Sequence, residues 1–309
     1  MSDFPKATAR IRVDPTNPGQ FFACCGLLEL AHRLWSGAEG WFENEDTSFI
    51  VAAPESGEGF FSLIDRLAQV GLSGELSPEL AQERQQLEEK RRRLKKEKKS
   101  LQKKDEERRK ELGTLLREGM IEIAFPFELR LDWWKDDDDA NPKTWAGTQQ
   151  VLRIAQAALL DTIQAFKADE PFNLACVMRI ALNDANNKSR GKKKTKEAKA
   201  EPFCFDSRHG ANALPLDIGF SPNELGMESK AFPAVELLCL IGLQRCRPKL
   251  TAEPLVFEYF PWSTPLSILV APAATCGFLG QKSGYRFENA YRTDQRKHKG
   301  YLQATTIRR

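Results

Sequence analysis

The chain has 309 residues, 41% of them apolar and 29% charged, and a formal net charge of +3 from 46 basic and 43 acidic side chains. That length is enough to bury a sizeable core and suits one large domain or two modest ones. Near-neutrality taken alone argues against a nucleic-acid partner, but the charge is segregated: residues 90–104 carry +9, 188–199 carry +6 and 282–301 carry +4, which leaves −16 on the rest.

Along the chain, residues 9–13 (ARIRV) alternate like a short strand. The turn DPTNPGQ follows, in which Asn17 can cap a helix. Gln20–Trp35 then reads as a largely buried helix, and Gly26 inside it points to close packing. Residues 36–40 end that helix, Phe49–Ala52 reads as a strand, and Phe60–Val70 as a helix. Ser77-Pro78-Glu79 is a helix start, with a capping Ser, Pro at the first helical position and an acid in the first turn.

From there to Gly119 the chain is mostly charged, with Leu80, Leu87, Leu94 and Leu101 seven residues apart. The companion core positions are charged, so this is half of a coiled-coil pattern. A single helix would carry the chain roughly 50 Å from the body it must rejoin. A hairpin turning near Lys98–Ser100 is therefore expected, bringing Leu87 towards Leu112.

The body resumes with Met120–Leu131, strand-like, with Pro126 marking an edge or bulge. Asp132–Asp139 reads as a loop in which Trp133 and Trp134 either stand exposed or pack under the loop itself. Gly147–Lys167 reads as a helix, with Val151, Ile154, Ala155, Ala158, Leu159 and Ile163 on one stripe. Phe172–Leu182 is a shorter strand or helix, and residues 186–201 are expected to be a flexible basic loop, almost without apolar residues. Phe203–Phe220 looks strand-rich, Pro233–Arg245 is an apolar helix, and 255–307 reads as strands separated by Pro and Gly. The expected class is α+β. A mixed-sheet body with packed helices spans 1–77 and 119–309, and a charged helical insertion spans 78–118.

Several kinds of chemistry find little support. The N-terminal residues lack an apolar signal core, and the apolar run 237–243 is far too short to span a bilayer, so a cytoplasmic protein with no membrane partner is expected. The seven cysteines include no CxxC pair, which suits reduced, buried thiols. Cys25, Glu29 and His32 share a helix face, but Cys25 and His32 lie two turns apart, about 10 Å, too far for one ion. Asp206-Ser207-Arg208-His209 holds the residue types of a triad, yet neighbours in a chain rarely converge as one. Gly277–Ser283 and Gly191–Thr195 lack phosphate-loop spacing, and Asp136–Asp139 lacks the Gly and Glu of a calcium loop. No enzymatic activity, cofactor or metal is expected.

The basic segments suit phosphate backbones, which bind Lys and Arg through counterion release. The C-terminal stretch interleaves cations with aromatics, as a surface that grips a backbone and stacks on bases does. The candidate nucleic-acid-binding residues are Lys188, Arg190, Lys192, Lys193, Lys194, Arg208, Lys282, Arg286, Arg292, Arg296, Lys297, His298 and Lys299. Trp133 and Trp134 are candidates for a base-pair wedge or a partner interface.

The segments VDPTNPGQFFACCGLLELAHRLWSGAEGWF, LRLDWWKDDDD, KTWAGTQQVL, PFCFDSRHGANALPLDIGFSPNEL, FPAVELLCLIGLQRCRP and YFPWSTPLSILVAPAA together resemble the large-subunit-like protein of type I-U (I-G) CRISPR interference complexes. The similarity runs through nearly the whole chain outside 78–118 and 186–201. It rests on overall sequence texture and carries no catalytic motif. What the resemblance implies is a non-catalytic subunit of a crRNA-guided surveillance complex, placed near the 5′ end of the guide. Such a subunit reads a short motif beside the target, helps open the duplex, holds the displaced strand and recruits a helicase-nuclease, while guide pairing reads the sequence. Its partners would be crRNA, target double-stranded DNA, other complex subunits and the helicase-nuclease. At 309 residues this chain is short for a large subunit. The alternative is an assembly protein that docks partners through the 78–118 arm and touches no nucleic acid.

Overall fold

The computed structural model describes residues 4–57, 59–74, 78–117, 119–136, 141–146, 149–180, 198–199, 201–210, 230–292 and 298–308. The architecture is α+β, with helices packed on antiparallel sheets; every named strand pair is antiparallel, where a mixed sheet was expected. The strands are β1 (Ala9–Arg12), β2 (Glu39–Glu43), β3 (Ser48–Ala52), β4 (Ile121–Ile123), β5 (Leu129–Leu131), β6 (Arg179–Ile180), β7 (Ala198–Lys199), β8 (Lys249–Leu250), β9 (Val256–Tyr259), β10 (Leu266–Ser267), β11 (Ser283–Tyr291), β12 (Lys299–Tyr301) and β13 (Thr305–Arg308). The helices are α1 (Pro18–Leu34), α2 (Ser62–Val70), α3 (Pro78–Lys96), α4 (Lys103–Arg117), α5 (Val151–Ala165), the single turn α6 (Ser207–Gly210), α7 (Pro233–Gly242) and α8 (Ala271–Thr275). None of the described helices is long and apolar enough to cross a membrane.

One sheet has the order β1-β3-β2-β10. A second, five-stranded sheet is built on β11, with β9 and then β8 on one edge and β13 and β12 in succession on the other, and β4-β5 and β6-β7 are separate two-stranded pairs. Trp262 joins the two sheets: its carbonyl accepts from Phe42 N at 2.8 Å and its indole N–H donates to Gly40 O at 2.7 Å.

Helix α1 lies at the centre, buried from Pro18 to Ala31, as a helix apolar on nearly all sides must be. Asn17 caps it as expected, its side chain accepting from Gln20 N, with Pro18 in the first turn. Helices α1 and α7 cross where two glycines face each other's backbone. A methyl on Gly26 would come within 2.0 Å of Leu238 O, and one on Gly242 within 2.0 Å of Phe22 O. Only residues without a Cβ permit that approach.

Residues 78–117 form the expected helical hairpin, α3 and α4, turning through Lys98 in the left-handed region (φ 56°). At its root the chain leaves and re-enters the body side by side: Ser73 and Glu122 exchange backbone hydrogen bonds of 2.9 and 2.8 Å.

Some expectations are corrected. Met120–Leu131 is two strands, β4 and β5, joined by a turn through Pro126, because its alternating apolar residues line both strands of a hairpin. Strand β2 begins at Glu39, inside the stretch read only as a helix stop; Gly40 sits there because Phe49 leaves no room for a side chain. Residues 203–210 hold no strand, only irregular chain and α6, and a short helix, α8, interrupts the C-terminal strands. Of the loop 186–201, only 198–199 and 201 lie within the described residues, and Ala198–Lys199 pairs with Arg179–Ile180.

Candidate nucleic-acid interface

The alternating pattern of β11 divides its side chains between two faces. Tyr285 and Phe287 point into the core, and with Tyr301 from β12 they form part of an aromatic cluster that includes Tyr259. Arg286 points outwards. Of the interleaved aromatics, Tyr291 reaches the surface, at the end where β11 turns back into β12.

Three of the candidate cations gather at that end. Arg292 N donates to His298 O at 2.7 Å, extending the pairing of β11 with β12. Lys299 Nζ stands 5.9 Å from the centre of the Tyr291 ring, within reach of a cation–π contact. His298 Nδ1 lies 3.0 Å from Gln149 Oε1, and Lys299 N donates to Thr144 O at 2.8 Å, so the start of β12 is braced against the chain before α5. Arg292 is half-buried against Gly300 and Cys204, and its Nε is buried without a hydrogen-bond partner among the described residues. Lys282 is exposed just before β11.

Other candidates are committed elsewhere. Arg286 Nη2 binds Glu258 Oε1 at 2.7 Å and Nη1 lies 3.9 Å from Glu253, so its charge is matched within the sheet. Arg208 is a strut rather than a surface cation. It binds Asp206 at 2.6 Å, Phe172 O at 2.7 Å and Asn173 at 2.7 Å, and lies 3.4 Å over the Phe232 ring. Lys188, Arg190, Lys192, Lys193, Lys194, Arg296 and Lys297 lie outside the described residues.

Trp133 and Trp134 are buried, 1% and 3% exposed, and are neither wedge nor interface in this fold. They pack with Trp145, and Trp133 also with Phe205. The Trp133 indole donates to Leu240 O at 2.9 Å, and Gln244 Oε1 accepts the backbone N–H groups of both Asp132 and Trp133. Partners that converge from residues far along the chain supply the burial, which local sequence does not reveal.

A buried polar cluster escaped the sequence reading. The Phe205 and Asp206 N–H groups donate to Glu236 at 3.3 Å each, and the Asp206 carboxylate accepts from Asn17 at 3.0 Å and from Arg208. Asn17, Asp206 and Glu236 are wholly buried, and the cluster joins the starts of α1 and α7 to the 203–209 segment. Burial first, and then the Asp206 charge, push the Glu236 carboxyl up to about 8. The signal available was a lone acid in the apolar run 233–243.

The helix-face candidates are likewise structural. Burial raises the Glu29 carboxyl, but hydrogen bonds from Arg245 and Arg33 outweigh it and hold it below the usual range. Burial pushes the Cys25 thiol far up, with neighbouring Cys246 adding to it, which is the opposite of nucleophile activation. None of the seven cysteines is in a disulfide; Cys24, Cys25, Cys204, Cys239 and Cys246 are buried, while Cys176 and Cys276 are half-buried. Among the described residues, no group of three or more His, Cys, Asp or Glu is placed to hold a metal.

No family model, curated protein or solved structure matches the chain.

Proposed function

We propose that this chain is a non-catalytic, cytoplasmic nucleic-acid-binding subunit, the large-subunit-like component of a crRNA-guided CRISPR surveillance complex. It would bind target DNA beside the guide 5′ end, read the adjacent motif, help open the duplex and recruit the helicase-nuclease. The observation that carries the reading is the end of the β11–β12 pair, where Lys299 stands beside the exposed ring of Tyr291. A cation next to an accessible aromatic face suits a phosphate with its adjoining base. The segments that carry the family resemblance add to it, since they supply α1, α7 and the Trp133 cluster and so account for most of the core.

The test is assembly with the neighbouring gene products and guide RNA, followed by target-duplex binding with and without this chain. Unchanged assembly and binding in its absence would refute the role. Within the complex, substituting Arg296→Gln, Lys297→Gln and Lys299→Gln is expected to weaken binding and to lower the salt slope by up to about 0.9 per lost phosphate contact. An unchanged slope removes this surface from the site.

A further inference from the structure

The α3–α4 arm is charged along its whole length, but the charge is sorted. Towards the root, opposite charges meet across the hairpin: Arg108 grips Glu83 with two hydrogen bonds of 2.8 and 2.9 Å, Arg109 reaches Glu88 at 3.2 Å, and Lys90 binds Asp105 at 2.6 Å. Beyond that last rung, residues 91–104 hold nine Lys or Arg and a single acid, Glu97, which is paired with Lys99 at 3.3 Å. Arg93, Lys95, Lys96, Lys98 and Lys104 are exposed and have no acidic partner among the described residues. The turn residue Lys98 adopts a left-handed backbone that Gly or Asn would adopt at less cost. Folding alone gains nothing from this. Like charges crowd the tip, and a cation stands where a turn-former fits better.

We infer that the tip of the arm is a sequence-independent grip for a nucleic-acid phosphate backbone. Two competing partners, an anionic membrane and a protein, fit less well. Insertion into an anionic membrane calls for an apolar face, yet Leu94 and Leu101, the only apolar residues of 91–104, are both half-buried and the rest are exposed. The centre of a protein interface is depleted in Lys and enriched in aromatics, and the tip has the reverse composition. Lysines act as point charges that meet phosphate without reading bases, so the tip would hold a strand in place rather than select it. An α3 of 19 residues, about 28 Å long, carries that grip well away from its root. The inference rests on the functional reading only for the kind of partner; the site itself is argued from the arm.

The test uses the full chain with Lys95→Gln, Lys96→Gln, Lys98→Gln and Lys104→Gln combined, and a second variant with Arg at the same four positions. Binding to a short mixed-sequence DNA duplex and to a single-stranded RNA is followed by fluorescence anisotropy at several KCl concentrations. Vesicles containing phosphatidylserine serve as the lipid arm. The Gln variant is expected to keep the wild-type circular dichroism, to lose tenfold or more in affinity at low salt, and to lose about 3 to 4 from the salt slope; the Arg variant is expected to bind like wild type. Wild-type affinity and slope in the Gln variant overturn the grip but leave the functional reading intact. A chain that binds neither nucleic acid also overturns the grip, whereas the functional reading falls only if the complex assembles and binds its target unchanged without this chain. Tip-dependent binding to vesicles but not to nucleic acid overturns the grip in favour of a membrane site.

Discussion

At the scale of single residues, pairing decides what a charged side chain can do. Arg208 and Arg286 look like surface cations in sequence, but Asp206 two residues away and Glu258 on the neighbouring strand claim them. Glu236 shows the converse, a carboxyl inside the core with no cation bound to it among the described residues. Its folded value of about 8 lies above the ordinary 4.5, so the native state holds the proton more tightly than the unfolded chain. Its contribution to stability is fully present below pH 4.5 and is lost as pH rises through about 8. Glu236→Gln does not titrate, so its melting temperature relative to wild type is expected to improve steadily between those limits. Thermal melts across that range check it, and a constant difference would show that the carboxyl titrates normally. The acid was visible in sequence. Its burial was not, because Asp206 and Asn17 come from distant segments.

At the scale of elements, local signals fixed what local physics controls. Helix α1 was legible because Asn17-Pro18 starts it and an almost unbroken apolar run follows. The hairpin arm was legible from geometry, since a chain that must return cannot run on as one helix. Strand β2 was hidden by Gly40, and the fate of Trp133 by Trp145 and Phe205. The α1–α7 crossing makes the sharpest prediction at this scale. Gly26→Ala places a methyl against the Leu238 carbonyl with backbone on both sides, so neither helix can yield without separating. The expected loss is about 3 kcal/mol or more, at the upper end for overpacking, and urea unfolding measures it. An exposed-site control such as Gly57 has nothing within 4 Å of an added Cβ, but its positive φ makes alanine strained there too, so the contrast is one of size.

For the whole molecule, the net charge of +3 conceals how charge is placed: the outgrowths are cationic and the remainder acidic. The body pairs most of its buried ions, as Glu29 with Arg245 and Arg33 shows, while the arm pairs its root and leaves its tip open. Sequence alone located the arm and the C-terminal cations. It could not separate the arm's paired half from its open half, because the rungs join residues 15 to 25 positions apart.

The thiols give the molecule a time-resolved reporter of its own opening. Five of the seven lie sealed within the body, in α1, in and just after α7, and at Cys204 between them, and two are partly accessible. A thiol-reactive dye should therefore label Cys276 first, Cys176 more slowly because burial and the Asp161 charge push its thiol up to about 12, and the other five only as fast as the core exposes them. If the five react together, the two helices and the 204 segment open as one cooperative unit. If Cys204 reacts ahead of the rest, the segment that carries Asp206 and Arg208 detaches first, and the lifetime of that step can be read directly from the labelling trace.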